Sequence, residues 1–489
     1  MRSIGGSQLA LSRRKIPNHS LVIAAAIVIS GVTSYIISAE TGVIGTSSNQ
    51  TWNANASVPF LYDDSLALEL VADGLKFPTS MRFLDNGDIL VLQKNDGQVR
   101  LVSNDKLYDK PVLQLGNVAN KGEWGLLGIA IVNDFYYYHG RNVSSGNNDN
   151  DNDEVFLYFT ENVTGSGEAK VQSVQNNNES KVLRNRVYKY DYDHNERILD
   201  NRTLILDLPG EPGPYHNGGK LSIGPYDGHL YVVIGDVSAG GSKLDNQIPG
   251  SEPDDKSVIL CVDRETGLPT KDNPFYDYYI TGNATMKDKL SRYYAYGIRN
   301  SFGMDFDHIS QLLWITENGP GSYDEINVVR PGFNSGWHKV TGPISRTNMT
   351  VESDLVLLEG ARYDDPVFSW HIPIGVTDIE FFNSSKLGDR YRDNIFVGDI
   401  NNGNLYFFTV NGTRTGLWFE DDQKGLLLAD LVADNNGVDP SEASHELSPI
   451  VLGKGFGRIT DIETGPDGFL YVLTYEDGRI YRIVRGDGS

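Results

Sequence analysis

Asp227-Gly228-His229-Leu230-Tyr231-Val232 and Asp467-Gly468-Phe469-Leu470-Tyr471-Val472 carry one pattern, a turn dipeptide followed by an apolar and aromatic run. Asp-Gly supplies the positive φ that a tight β-hairpin demands. Four further segments repeat the pattern with looser turns: Asn86-Gly87-Asp88-Ile89-Leu90-Val91, Glu154-Val155-Phe156-Leu157-Tyr158-Phe159, Gln311-Leu312-Leu313-Trp314-Ile315 and Asp393-Asn394-Ile395-Phe396-Val397. Their spacing is roughly 60–90 residues, a period that belongs to blade-like repeats. Long helix-period runs are scarce beyond the first forty residues. The pattern therefore predicts an all-β chain built as a radial β-propeller, one four-stranded sheet per repeat. A pair of β-sandwich domains is the alternative on pattern alone. A propeller gathers loops from every blade around one end of a channel, which is where a ligand site would form.

Composition bounds the class. A chain of 489 residues has length for several domains, but propellers run long as single units. Its 26 tyrosines and 52 glycines suit a sheet protein with many turns. A net charge of −23 argues against nucleic acid or an anionic membrane surface as partner. The single cysteine, Cys261, excludes an intrachain disulfide; it lies in Val258-Ile259-Leu260-Cys261-Val262 and is expected to be a buried, inert thiol.

The N-terminus is different material. Residues 1–20 are basic, with Arg13-Arg14-Lys15 before an uncharged run at 21–39. A helix of about 19 residues spans a hydrocarbon core of roughly 30 Å. The flanking charges place residues 1–20 in the cytoplasm and the bulk of the chain outside. The run reads as a membrane anchor, with a cleaved signal segment as the alternative, which would make the protein secreted. Residues 40–62 form a polar stalk, and 63–486 the propeller domain. Sequons at Asn49, Asn55, Asn142, Asn162, Asn178, Asn201, Asn283, Asn348, Asn383 and Asn411 fit an extracytoplasmic glycoprotein. Ser144 to Glu154 and Gln172 to Ser180 are too polar to pack and read as surface loops.

One tetrapeptide points to chemistry. His216-Asn217-Gly218-Gly219 follows the turn-rich stretch from Pro209 to Pro214. It sets a histidine on a loop at the mouth of the β-scaffold, and histidine is the side chain suited to take a proton near neutral pH. The two glycines leave room for a flat ligand to approach the backbone.

Five segments, in order, resemble the glucose/sorbosone dehydrogenase family of soluble quinoprotein sugar dehydrogenases. They are Gly122-Glu123-Trp124-Gly125-Leu126-Leu127-Gly128-Ile129; His216-Asn217-Gly218-Gly219 with Ile234-Gly235-Asp236; Tyr296-Gly297-Ile298-Arg299-Asn300; Thr316-Glu317-Asn318-Gly319-Pro320 with Asp324-Glu325-Ile326-Asn327 and Gly336-Trp337; and Gly457-Arg458-Ile459-Thr460-Asp461 with Gly465-Pro466-Asp467-Gly468. The resemblance runs from about Leu70 to Ile483. It implies a six-bladed propeller that oxidises an aldose at its anomeric carbon to a lactone. The implied cofactors are pyrroloquinoline quinone (PQQ) and Ca²⁺, and electrons would pass to an external acceptor such as a quinone or cytochrome. On the same basis His216 is the general base. Arg299 and Asn300 bond the quinone oxygens, and Arg458 pairs with a cofactor carboxylate. The carbonyls of Gly319 and Pro320 hold Ca²⁺. Asp324 and Glu325 build the loop rather than ligate the metal, and Trp337 reads as core.

The departures are equally specific. Asn401 stands where the family usually has a lysine, and Thr460 where it often has a second arginine. Glu123 and Tyr215 replace a glutamine and an aspartate beside the base. Lys220 and Lys454 are candidate compensating cations. A propeller that has lost the cofactor and binds a glycan or protein is thus the alternative. A lactonase or hydrolase would want inward Asp/Glu ligands from each blade, a set the sequence does not display.

Overall fold

The computed structural model describes residues 58–132, 153–164, 181–277, 289–420, 430–434 and 447–486. The expected anchor at 21–39, the stalk up to residue 57 and most of both polar loops lie outside these residues. Among the described residues, no helix is long and apolar enough to cross a membrane.

The described chain is all-β and propeller-like, in six sheets. Their innermost strands are Pro78–Phe83, Leu126–Val132, Leu221–Ile223, Gly303–Phe306, Val376–Phe382 and Ile459–Thr464. Each touches the next, and Ile459–Thr464 returns to Pro78–Phe83, so the ring is closed. Neighbouring inner strands align start to start. Thr79 Oγ1 donates to the Leu126 carbonyl (2.8 Å), and Thr460 Oγ1 to the Pro78 carbonyl (3.0 Å).

The second strands explain why the sequence pattern was so apolar. Leu230–Ile234 and Leu470–Thr474 are buried at every position. Side chains alternate between the two faces of a strand, and here both faces meet a neighbouring sheet. Leu230, Val232 and Ile234 enter the gap toward the preceding sheet, while Tyr231 and Val233 enter the gap toward the following one. Six apolar clusters fill the six gaps in this way. Cys261 belongs to one of them, and burial pushes its thiol up to about 12, as expected of an inert group.

The ring is closed by chain ends. Leu66–Ala72 pairs antiparallel with Arg479–Arg485, Leu68 opposite Ile483, and so completes the last sheet. Phe60–Leu61 likewise pairs with Val451–Lys454 in the sheet before it. A chain beginning at Asp73 would expose the Arg479–Arg485 edge to other molecules. We expect it to melt at lower temperature and to aggregate, as read by thermal melts and size-exclusion chromatography; a monomer with an unchanged melt would contradict this closure.

Candidate active site

Loops that precede an inner strand, and those that follow a second strand, share one end of the ring. Glu123, His216, Arg299, Asn300 and Arg458 belong to the first kind; Lys94, Asp236, Gly319 and Pro320 to the second. Direct bonds join several of them across three sheets.

His216 is held by both ring nitrogens. Arg299 Nη2 donates to its Nε2 (2.8 Å), so the ring proton sits on Nδ1 and is donated to Asp236 Oδ1 (2.6 Å). Asp236 also accepts the Trp337 indole N–H (3.0 Å) and the Ser238 N–H (2.7 Å). Burial opposes ionisation of Asp236. The His216 hydrogen bond, the Ser238 N–H and Arg299 outweigh it and hold the carboxyl below its ordinary range. The Arg299 guanidinium lies 5.3 Å from the Trp337 ring centroid, and its Nη1 donates to the Asn318 carbonyl (2.9 Å). Its Nε is buried without a hydrogen-bond partner. Trp337 is buried, as read from sequence, yet it also braces the site.

The backbone under His216 is shaped by Glu123. His216 has a φ of 62°, a left-handed conformation that costs energy for a side chain of this kind. Glu123 Oε2 accepts the His216 N–H (2.6 Å), the Asn217 N–H (3.2 Å) and Asn300 Nδ2 (3.3 Å). Asn300 Oδ1 in turn accepts the Gly218 N–H (3.1 Å). Asn300 is therefore buried inside the loop's own network. The glycines play a different part from the one expected. A Cβ on Gly218 would lie 2.8 Å from the Val233 carbonyl oxygen, and one on Gly219 2.8 Å from the Leu127 Cβ. Gly218 makes room for the adjacent strand of its own sheet and Gly219 for the preceding sheet, rather than for a ligand.

Acids crowd this end. Glu317 accepts the Arg299 N–H (2.7 Å) and the Ser335 hydroxyl (2.6 Å), and stands opposite Glu325 across the sheet. Burial raises both carboxyls, and Glu317's charge adds to the rise at Glu325. Asp324 accepts the N–H groups of Gly319 (2.9 Å), Gly375 (2.7 Å) and Val376 (3.0 Å). Asp324 and Glu325 are thus loop builders, as read from sequence. Among the described residues no hydrogen bond ends on the Gly319 or Pro320 carbonyls, so both oxygens remain available to a hard cation.

The remaining cations divide. Arg458 is half-buried and pairs with Glu476 (3.2 Å). Lys220 and Lys454 do not compensate for the missing cations: Lys220 lies between Asp378 and Asp461 on the ring's axis, and Lys454 packs over Tyr62 at the outer edge. Thr460 is turned to the neighbouring sheet. Lys94, which the sequence did not single out, is buried at this end. Burial pushes it down to about 8 against the pull of Glu123. Its only signal was its place directly after a second strand, the position Asn318 also holds.

Comparison with known proteins agrees with this geometry. Residues 75–482 match the family model for glucose/sorbosone dehydrogenase. The chain is 26% identical over 443 residues to the aldose sugar dehydrogenase YliI of Escherichia coli K12, covering 89% of this chain and 95% of that protein. Among solved structures, the soluble aldose sugar dehydrogenase of E. coli in its apo form aligns with TM-score 0.59 at 22% identity, covering 86% of this chain and all of the other. The PQQ-bound aldose sugar dehydrogenase of Streptomyces coelicolor aligns with TM-score 0.55 at 20% identity, covering 86% and 99%. These two likenesses concern the fold.

Glu123→Ala should strip the His216 and Asn217 N–H groups of their carboxylate and cost roughly 1.5–3 kcal/mol. Glu123→Gln should retain part of that. Denaturant melts check both, and an unchanged midpoint for the alanine variant would remove Glu123 from this role.

Proposed function

The chain belongs to the glucose/sorbosone dehydrogenase family, and from that premise we propose that it is a quinoprotein dehydrogenase with six blades. It oxidises an aldose-type sugar at the anomeric carbon to a lactone and passes electrons to an external quinone or cytochrome. One observation carries the reading: a histidine whose Nδ1–H is fixed by a carboxylate and whose Nε2 meets a half-buried guanidinium.

The residues fit the redox half of the cofactor. Arg299 has a buried, unpartnered Nε beside the base, and the Gly319 and Pro320 carbonyls suit Ca²⁺. PQQ, when bound with Ca²⁺ at these carbonyls, supplies the hydride acceptor. Arg299 would hold its oxygens and Arg458 a carboxylate. Asn300 supports this from beneath, by fixing the His216 loop.

Asp236 fixes the tautomer, so the lone pair that accepts a proton is on Nε2. That lone pair now accepts from Arg299, so their bond opens when the sugar hydroxyl approaches. Nε2 then takes the hydroxyl proton, and the imidazolium is stabilised by the Asp236 carboxylate at 2.6 Å. Trp337 keeps Asp236 oriented through its indole N–H.

A second reading has its own observation. With Arg458 paired to Glu476, and Asn401 and Thr460 in place of cations, little positive charge faces a tricarboxylate. Each missing charge-assisted bond is worth about 1.5–3 kcal/mol. A cofactor-less propeller that binds a glycan or protein follows if the quinone does not bind. An extracytoplasmic location, anchored at 21–39 or secreted after cleavage there, is part of the proposal. Exposed sequon residues Asn201, Asn348 and Asn383 support it.

Purified protein supplied with PQQ and Ca²⁺ should show a raised melting temperature and reduce a dye with aldoses. No uptake would exclude the dehydrogenase and leave the binding module. His216→Ala should abolish turnover while leaving uptake nearly intact; surviving turnover would remove His216 as the base. Asp236→Asn, which keeps the shape but permits the wrong tautomer, should lower kcat by about 10²–10⁴-fold, measured by the same dye assay.

A further inference from the structure

Four residues after His216 the chain places Lys220, whose side chain enters the axis of the ring. Its ammonium meets Asp378 Oδ1 at 2.7 Å and Asp461 Oδ1 at 2.6 Å, from the fifth and sixth inner strands. Asp461 Oδ2 also accepts the Ser80 hydroxyl (3.0 Å) and the Met81 N–H (2.5 Å) from the first. One lysine thus joins the loop that carries His216 to three other sheets. All three side chains are buried.

The axis is a charge cluster. The groups that face Lys220 and its partners are Arg82, Asp305, Asp378, Glu380, Asp461 and Glu463; the inner strand Leu126–Val132 contributes none. Arg82 pairs with Glu463 and stands 3.6 Å from Asp461. Phe381 N donates to Asp305 (2.7 Å), and Thr464 N to Glu380 (2.9 Å). Five carboxyls therefore share two cations, a deficit that requires protons on some of them. Oxygens of Asp378, Asp461 and Glu463 lie within 4.8 Å of one another, but Lys220 and Arg82 already supply the positive charge a metal would. Asp378 and Asp461 meet at the same ammonium with oxygens within 4.8 Å of each other, and like charges that close favour a proton on one of them. The proton belongs on Asp378. Both accept a backbone N–H and meet the ammonium, Asp378 from Ile462 (3.0 Å) and Asp461 from Met81; Asp461 alone also accepts the Ser80 hydroxyl and has Arg82 at 3.6 Å, which favour its ionised form.

We propose that Lys220 is a positioning residue for His216, pinned by an acid–carboxylate pair in which Asp378 carries the proton and Asp461 the charge. The reading of His216 as base gives this pin its purpose. The inward acids that a lactonase reading looked for exist here, on three strands, but are spent on the pin. Burial holds Asp378 and Glu380 well above the usual carboxylate range, while Lys220 and Arg82 hold Asp461 below it despite burial. A raised carboxyl contributes stability that is complete below its unfolded value and is lost as pH rises through its folded value. The melting temperature should therefore fall as pH rises above the ordinary carboxylate range.

The test uses the full chain without quinone or sugar, so its failure is distinct from that of the dehydrogenase reading. Melting temperature is followed against pH for the wild type, Asp378→Asn, Asp461→Asn, Lys220→Met and Lys220→Arg. The Nδ1 proton of His216, assigned by its loss in His216→Gln, is followed by NMR. Asp378→Asn, a neutral isostere of a neutral acid, should melt close to the wild type at low pH and show a weaker fall as pH rises. Asp461→Asn should melt several degrees lower. Lys220→Met should shift the His216 signal, and Lys220→Arg should shift it less. If Lys220→Met does not fold, Lys220→Arg and the two aspartate variants still decide. Equal damage from the two asparagines would overturn the proton assignment, and an unmoved His216 signal in the Lys220 variants would overturn the positioning role.

Discussion

Two cations, one buried at the hub and one half-buried at the mouth, organise this protein. Apolar clusters hold the sheets face to face, but apolar contact is non-directional and tolerates sliding. A buried ammonium or guanidinium does not, because leaving its partners costs several kcal/mol. Lys220 fixes four sheets at the hub, and Arg299 joins His216, Asn318 and Glu317 at the mouth. Both sit beside the glycine-rich turn that carries His216. The turn is thus fixed at its far end by the hub and across its face by the guanidinium, with Glu123 beneath.

The strands were legible because the second strand of each sheet is buried on both faces, which leaves an unbroken apolar run after a polar turn. Leu470–Thr474 could be read this way from its own residues. The ring itself was less legible. Its closure depends on Leu66–Ala72 finding Arg479–Arg485, a pairing between opposite chain ends that no local pattern announces. At the site, His216, Arg299 and Arg458 were found through ordered motifs, whereas their neighbours were not. Asp236 was quoted only as part of a motif. Lys94 sits in an undistinguished Gln-Lys-Asn-Asp turn, and its burial comes from the fold. Glycines 218 and 219 were misread for the same reason: a close approach of backbone is visible in sequence, but what approaches is not. Lys220 followed the motif directly, and only the ring's geometry reveals that it turns inward.

The bond between His216 and Arg299 has a consequence for any ligand at this end. While Nε2 accepts from the guanidinium, it has no lone pair for another donor. A ligand that draws Arg299 toward its own oxygens therefore releases the base in the same movement. Proton acceptance is thereby tied to occupancy of the guanidinium's other side, where Nε lacks a partner. An isolated histidine on a loop would have no such tie.

Charge also separates what the site can do from how tightly it can hold. The proposed proton transfer needs one imidazole, one carboxylate and one guanidinium, and these three meet. Retention of the proposed cofactor needs positive charge for three carboxylates. Here Glu123, Asp236, Glu317 and Asp324 all act on Arg299, and Arg458 is shared with Glu476. The acidic excess of the whole chain, −23, therefore reaches into the mouth, where screening by solvent is weakest. Divalent calcium at the Gly319 and Pro320 carbonyls would offset part of that field, since a bound ion is the largest local charge in such a site. Retention of an anionic cofactor should then depend more steeply on calcium here than in a relative that keeps all three cations. Quinone titrations at graded Ca²⁺, compared with an Asn401→Lys/Thr460→Arg variant, would show a steeper calcium dependence in the wild type; equal slopes would mean that the missing side chains were not what held the charge balance.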